Sequence, residues 1–132
     1  MDTGVIISAF AFGGRPMEAV KKAFTTTDIY VSIPILNEYR EVPLALEAER
    51  KINHQQLKAL ISGIAAFLAN TKIVNPEKSL QICRDEKDNM LLECCLASKA
   101  DFLITGDKDL LDIRNLPFNL KIVTPQRFIK EI

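Results

Sequence analysis

Apolar and polar positions follow two different rhythms along this chain, and each change of rhythm marks an element. Between Asn53 and Ala69, the residues Leu57, Leu60, Ile61, Ile64, Phe67 and Leu68 fall on one stripe at helical spacing. That stripe predicts an amphipathic helix, with Asn53 placed to cap it. Ile29–Ile33 is instead a short β-branched and aromatic run bounded by Asp28 and Pro34, which predicts a buried strand. Phe102–Thr105 and Leu120–Val123 read the same way, and Ile73-Val74 as a shorter strand ended by Asn75-Pro76.

Helical patterns lie between these runs. A Gly13-Gly14 break leads to Pro16, a suitable first-turn residue for a helix through Met17–Phe24. Pro34 opens another through Leu36, Tyr39 and Val42, which Pro43 is expected to end or kink. Asp88 is expected to cap a helix with Leu91, Leu92, Cys95 and Leu96 inward. Lys108–Ile113 predicts a short helical turn after Gly106, and Pro125 opens a closing helix with Phe128 and Ile129.

Strands alternating with helices predict an α/β domain built on a mostly parallel sheet with right-handed crossovers. The chain has 132 residues, 48% of them apolar, which suffices for one core and not two, so residues 1–132 are expected to form one domain. No internal repeat at solenoid period interrupts it. In such sheets, functional groups gather beyond the carboxyl ends of the strands.

Charge adds a constraint. The 17 Lys and Arg balance the 17 Asp and Glu, which argues against a passive nucleic-acid coat protein. A nuclease remains compatible, because metal-binding acids cancel basic residues on a substrate rim. Arg15, Lys21, Lys22, Arg40, Arg84, Lys87 and Lys108 are candidates for that rim, or for an ordinary solvated surface. Cys83, Cys94 and Cys95 show no metal-binding spacing and read as reduced thiols. His54, the one histidine, lies in a polar helix opening and reads as exposed. With no second histidine, nucleophilic triad chemistry is disfavoured. Val5–Phe12 is apolar but short and follows no basic segment, so neither export nor a membrane span is expected, and the cytoplasm is the default.

The acids carry the chemistry. Asp2, Glu38, Asp85, Asp88, Asp107 and Asp109 all lie near strand ends or helix starts, which a parallel sheet brings to one edge. Carboxylates within ~4–6 Å raise one another's pKa unless a cation intervenes. An all-oxygen set with no His or Cys suits Mg²⁺ or Mn²⁺. Such an ion also reverses the sign of a site that would otherwise repel phosphates. Each acid alone has a structural alternative, as a helix cap or as turn chemistry in Gly106-Asp107-Lys108-Asp109.

These positions resemble the PIN-domain family, in particular the prokaryotic branch of toxins from type II toxin–antitoxin systems. Asp2-Thr3-Gly4-Val5-Ile6-Ile7-Ser8 is similar to that family's D-T-N-V-x-x-S. Ile35–Val42 is similar to the helix carrying its second acid, and Arg84-Asp85-Glu86-Lys87-Asp88-Asn89 to its R-D-x-x-D-N segment. Ala100–Leu111 resembles its A-D-x-L-x-T-G-D-K-D-L-L signature. The resemblance implies a three-layer α/β/α fold with a sheet of about five strands and Asp2 on the central one. It implies a metal-dependent endoribonuclease, with Asp2, Glu38, Asp88 and Asp107 as catalytic metal ligands for Mg²⁺ or Mn²⁺. Asp85, Thr105 and Asp109 would support them, and Arg15, Arg40, Arg84, Lys87 and Lys108 would bind RNA. A cognate antitoxin and a homodimer or higher oligomer are the implied partners.

Two departures from the pattern stand out. Gly4 replaces the family's Asn, and only Met1 precedes Asp2, with the Met1 ammonium expected beside that acid; either the start lies upstream and supplies the first strand, or the first strand is cut short. They favour one alternative, a catalytically inactive PIN-like domain that binds RNA or protein. Asp2-Thr3-Gly4 also resembles the aspartic-protease triplet, but that enzyme needs two such aspartates on a β-rich scaffold. A phosphohydrolase would want a second aspartate where Gly4 stands.

Overall fold

A computed structural model describes all 132 residues. The predicted helix of the middle third forms as α4, His54–Ala69, and Asn53 starts it with a reciprocal capping box. The Asn53 side chain accepts from Gln56 N at 2.8 Å, and Gln56 Oε1 accepts from Asn53 N at 2.9 Å. Leu57, Leu60, Ile64 and Phe67 are its buried stripe, whereas Ile61 of the same pattern faces outward, half exposed.

Ahead of α4 lie α1 (Thr3–Phe12), α2 (Gly14–Thr26) and α3 (Ile33–Ala48). Helix α1 escaped sequence reading because Val5, Ile6, Ile7 and Ala9 are all buried, which leaves no amphipathic stripe. Gly63 of α4 lets α1 approach closely: a Cβ there would stand 2.3 Å from the Phe10 ring. Gly13 and Gly14 both adopt positive φ (77° and 68°), so the chain reverses between α1 and α2 where the Gly pair predicts a break. Pro43 does not end the helix: α3 continues through it to Ala48. Tyr39, fully buried, packs edge-on against Phe67 at 6.0 Å, and Pro43 is itself buried. Burial of that face outweighs a proline penalty of about 3 kcal/mol.

After α4 come α5 (Glu86–Ser98), α6 (Lys108–Leu111) and α7 (Pro125–Glu131). Four short strands separate these helices. β1 (Tyr30–Val31) pairs in parallel with β2 (Lys72–Ile73), and β3 (Phe102–Ile104) with β4 (Lys121–Val123). Parallel pairing across helical crossovers is as expected. The sheet of about five strands is not: the two pairs are separate, and no strand joins them. Between β1 and β3 stand only Met1 and Asp2, and Asp2 N–H makes one bond to Ile104 O at 3.0 Å. Asp2 therefore sits at the start of α1 beside β3, and not on a central strand.

Helix contacts carry most of the packing, α1 against α2 and α4, α2 against α7, and α3 against α4. Lys22 ties α7 down, donating to the carbonyls of Phe128 and Ile129 at 3.1 and 3.0 Å with its ammonium over the Phe128 ring. It is thus a structural cation and not part of a substrate rim. No helix is long and apolar enough to cross a membrane.

Candidate functional site

Three helix starts meet at the carboxyl end of β3. Asp2 occupies the N-cap position of α1, Asp85 that of α5 and Asp107 that of α6. The last two cap in the ordinary way, Asp85 accepting from Lys87 N and Asp107 from Asp109 N, each at 3.0 Å. Asp2 makes no capping bond. Its carboxylate instead accepts from Thr105 Oγ1 at 2.6 Å, and the same hydroxyl oxygen accepts from Asp107 N at 3.0 Å. A fully buried threonine thus bridges the first and last acids of the set. The positive ends of three helix dipoles offset part of the repulsion that gathering these acids creates.

Asp88 lies inside α5 and does not cap it, contrary to the sequence expectation. Its side chain is buried, with Asp107 in hydrogen-bonding reach. Burial and the nearby charges of Asp107, Asp85 and Asp2 push its pKa up to about 6. Cys83 reports the same field: burial raises its thiol, reinforced by Asp88, Asp107, Asp109 and Asp85. Such a thiol is a poor nucleophile at neutral pH.

Glu38 is linked to this group through Lys87. Its half-buried carboxylate meets Lys87 Nζ at 4.0 Å, and Lys87 lies on α5 between Asp85 and Asp88. Arg84 pairs with Asp109 at 3.0 Å, both side chains exposed. Arg15, Arg40 and Lys108 are exposed, and none makes an ion pair. The Met1 ammonium does not pair with Asp2; it acts on Cys94 and Cys95, whose burial raises both thiols, Cys95 to about 12. His54 is exposed and meets Glu47 at 3.2 Å, away from the acids.

Two positioning residues are added by the fold. Asn89 Oδ1 accepts from Ile82 N and Cys83 N at 3.0 and 2.8 Å, and Nδ2 donates to Cys83 O at 3.1 Å. Asn89 therefore fixes the loop that delivers Arg84 and Asp85, a role signalled only by its place in R-D-x-x-D-N. Tyr39, next to Glu38, donates its hydroxyl to Met1 O and so anchors the residue before Asp2. Nothing in an apolar helical position announced that bond.

No group of three or more Asp, Glu, His or Cys side chains stands close enough, as placed, to enclose a metal ion. The donor chemistry nevertheless fits one. All the groups are hard oxygens, their mutual repulsion raises Asp88, and Thr3 Oγ1, adjacent to Asp2, is buried without a hydrogen-bond partner.

The family model described as "PIN domain" matches residues 1–109. The chain is also 33% identical over 140 residues to a Methanocaldococcus jannaschii protein named "Uncharacterized protein MJ1680", with 99% of this chain and 88% of that one covered. No solved structure matches. The chain belongs to the PIN-domain family, whose members are generally metal-dependent nucleases.

Proposed function

We propose that this chain is an endoribonuclease that hydrolyses RNA phosphodiesters with Mg²⁺ or Mn²⁺ held by Asp2, Glu38, Asp88 and Asp107. One observation carries the reading: Asp88 is pushed up to about 6 by burial and by Asp107, its neighbour Asp85, and Asp2 from the far end of the chain. Charge concentrated at such cost to the apo protein is what a divalent cation relieves. Such an ion, when bound, polarises a phosphodiester and makes water a stronger nucleophile.

The protein's own groups have distinct tasks. Thr105 holds Asp2 and the Asp107 backbone in one place. Asp85 starts α5 so that Asp88 is directed inward, and Asp109 keeps Arg84 at the rim. Arg15, Arg40, Arg84, Lys87 and Lys108 are exposed cations suited to RNA phosphates. Lys87 has a second role, since its contact with Glu38 partly neutralises that acid before a metal arrives. Resemblance to the toxin branch supports an intracellular, cytoplasmic toxin restrained by a cognate antitoxin and working as a homodimer or higher oligomer.

The spacing of the acids favours a second reading, an inactive PIN-like domain that binds RNA or protein, because no three of them enclose an ion as placed. An RNA-cleavage assay separates the two. Cleavage in Mn²⁺ or Mg²⁺, abolished by EDTA and reduced more than about tenfold in Asp88→Asn and Asp107→Asn, supports the enzyme. Absence of cleavage by a folded chain that still retains RNA supports the second reading.

A further inference from the structure

Asp2 begins α1 and Glu38 lies on α3, so their spacing depends on what ties the two helices together. Thr105 links Asp2 to Asp107, and Asp88 lies within hydrogen-bonding reach of Asp107. Glu38 is linked to this group through Lys87 at 4.0 Å, and a mostly exposed lysine is a pliant tether.

A stiffer tie runs through the neighbours of both acids. The Tyr39 hydroxyl donates to Met1 O. Met1 O and Asp2 N–H are the two ends of one planar peptide unit, and the N–H end donates to Ile104 O at 3.0 Å. The plane that carries Asp2 is therefore gripped from α3 on one side and from β3 on the other. Tyr39 shares a peptide bond with Glu38, so their Cα atoms lie about 3.8 Å apart. No other hydrogen bond joins α3 to Asp2 or to the residues beside it. Packing holds the ring in place, because Tyr39 is fully buried and meets the Phe67 ring edge-on at 6.0 Å. Burial, reinforced by Asp2 and Glu38, raises the hydroxyl well above the usual tyrosine pKa, so it remains a donor.

We propose that Tyr39 is a positioning residue that fixes the separation of Asp2 and Glu38 and so lets the site choose its cation by size. This role rests on the reading of both acids as metal ligands. Mg²⁺ demands near-ideal octahedral geometry with oxygens at about 2.0–2.1 Å, whereas Ca²⁺ accepts looser arrangements at about 2.3–2.6 Å. A frame held to within about 0.5 Å separates two such ions, and a frame that yields accommodates the larger. A phenylalanine would supply the same ring to the core, so what the phenolic oxygen contributes is its bond to the backbone beside Asp2.

Calorimetric titration of the intact chain with Mg²⁺ and with Ca²⁺ tests this, comparing wild type, Tyr39→Phe and Val20→Ala. Val20 is buried on α2, an element that carries none of the proposed ligands. Tyr39→Phe is expected to fold, to bind Mg²⁺ about tenfold more weakly, and to bind Ca²⁺ with nearly unchanged strength. Val20→Ala is expected to lose stability yet keep the wild-type ratio of the two affinities. An unchanged ratio in folded Tyr39→Phe overturns the role of Tyr39 and leaves the metal reading standing. So does an equal fall of the ratio in Val20→Ala, which would make Tyr39 one core residue among others. A Tyr39→Phe chain that does not fold also overturns it, since the hydroxyl would then serve the fold and not the site. Folded wild type that binds neither ion removes the metal reading itself, and the role of Tyr39 with it.

Discussion

Thr105 Oγ1 donates to the Asp2 carboxylate at 2.6 Å and joins residues 103 positions apart in the chain. The same oxygen accepts from Asp107 N, so one hydroxyl sets the spacing between the first acid and the last. Thr105 itself is fully buried, and both of its bonds are partly so. Thr105→Val keeps the shape and removes both, leaving a carboxylate and an N–H unpaired. Urea denaturation should show a loss of about 1–3 kcal/mol. Thr105→Ser should recover most of it.

Asp88 gives the apo protein a pH dependence of known sign. Its folded pKa of about 6 lies above the ordinary 3.8, so the folded state holds the proton more tightly than the unfolded state. The stability this supplies is full below about pH 3.8 and is lost as pH rises through about 6. With EDTA present, Asp88→Asn should therefore exceed wild type in stability at pH 7.5, by about 1–2 kcal/mol after allowance for solvent screening. The difference should shrink towards zero near pH 4. Melting curves of both proteins at the two pH values check this.

Gly63 permits the approach of α1 to α4. The Cβ of Gly63→Ala would meet three atoms of the Phe10 ring at 2.3–2.9 Å, so the ring or the helix that carries it must shift. Overpacking of this kind costs about 1–3 kcal/mol. Because α1 begins at Asp2, the same substitution should also weaken Mn²⁺ binding. Gly4 offers the opposite case.

Gly4 lies in the first turn of α1, and nothing lies within 4 Å of the Cβ that Gly4→Ala would introduce. Replacing a helical glycine by alanine reduces the entropy of the unfolded chain and should stabilise by about 0.4–1 kcal/mol. Gly4→Asn should also fold. Thermal melts of the two variants measure the effect. Gain of nuclease activity in Gly4→Asn would assign the missing amide a role at the site.

How much was legible in the sequence depended on whether a local signal existed. Helix α4 was readable because Asn53 and Gln56 form a cap independent of tertiary structure. Pro43 does not end α3 because its penalty is local, while the burial of Tyr39 against Phe67 on the same helix comes from far along the chain. Asp88 was mistaken for a cap because Asp85 and Asp88 are both plausible before an apolar run, and only backbone geometry shows that Asp85 starts the helix. The acids Asp2, Asp85, Asp88 and Asp107 could be grouped from their places at element ends, and the coupling at Asp88 agrees with that grouping. Glu38 pairs with Lys87 across α3 and α5, a contact with no local trace. The separation of the sheets also lay out of reach, since pairing partners are set by which edges meet in space.

The central claim is that Asp2, Glu38, Asp88 and Asp107 together hold a divalent cation. Calorimetric titration of the folded apo protein with Mn²⁺ tests it most directly, comparing wild type with Asp107→Asn and with Asp109→Asn, whose side chain is exposed and paired to Arg84. The account predicts saturable binding by wild type, weakened by about tenfold or more in Asp107→Asn and much less in Asp109→Asn. Mn²⁺ binding of equal strength in wild type and Asp107→Asn, or none to folded wild type, would contradict it.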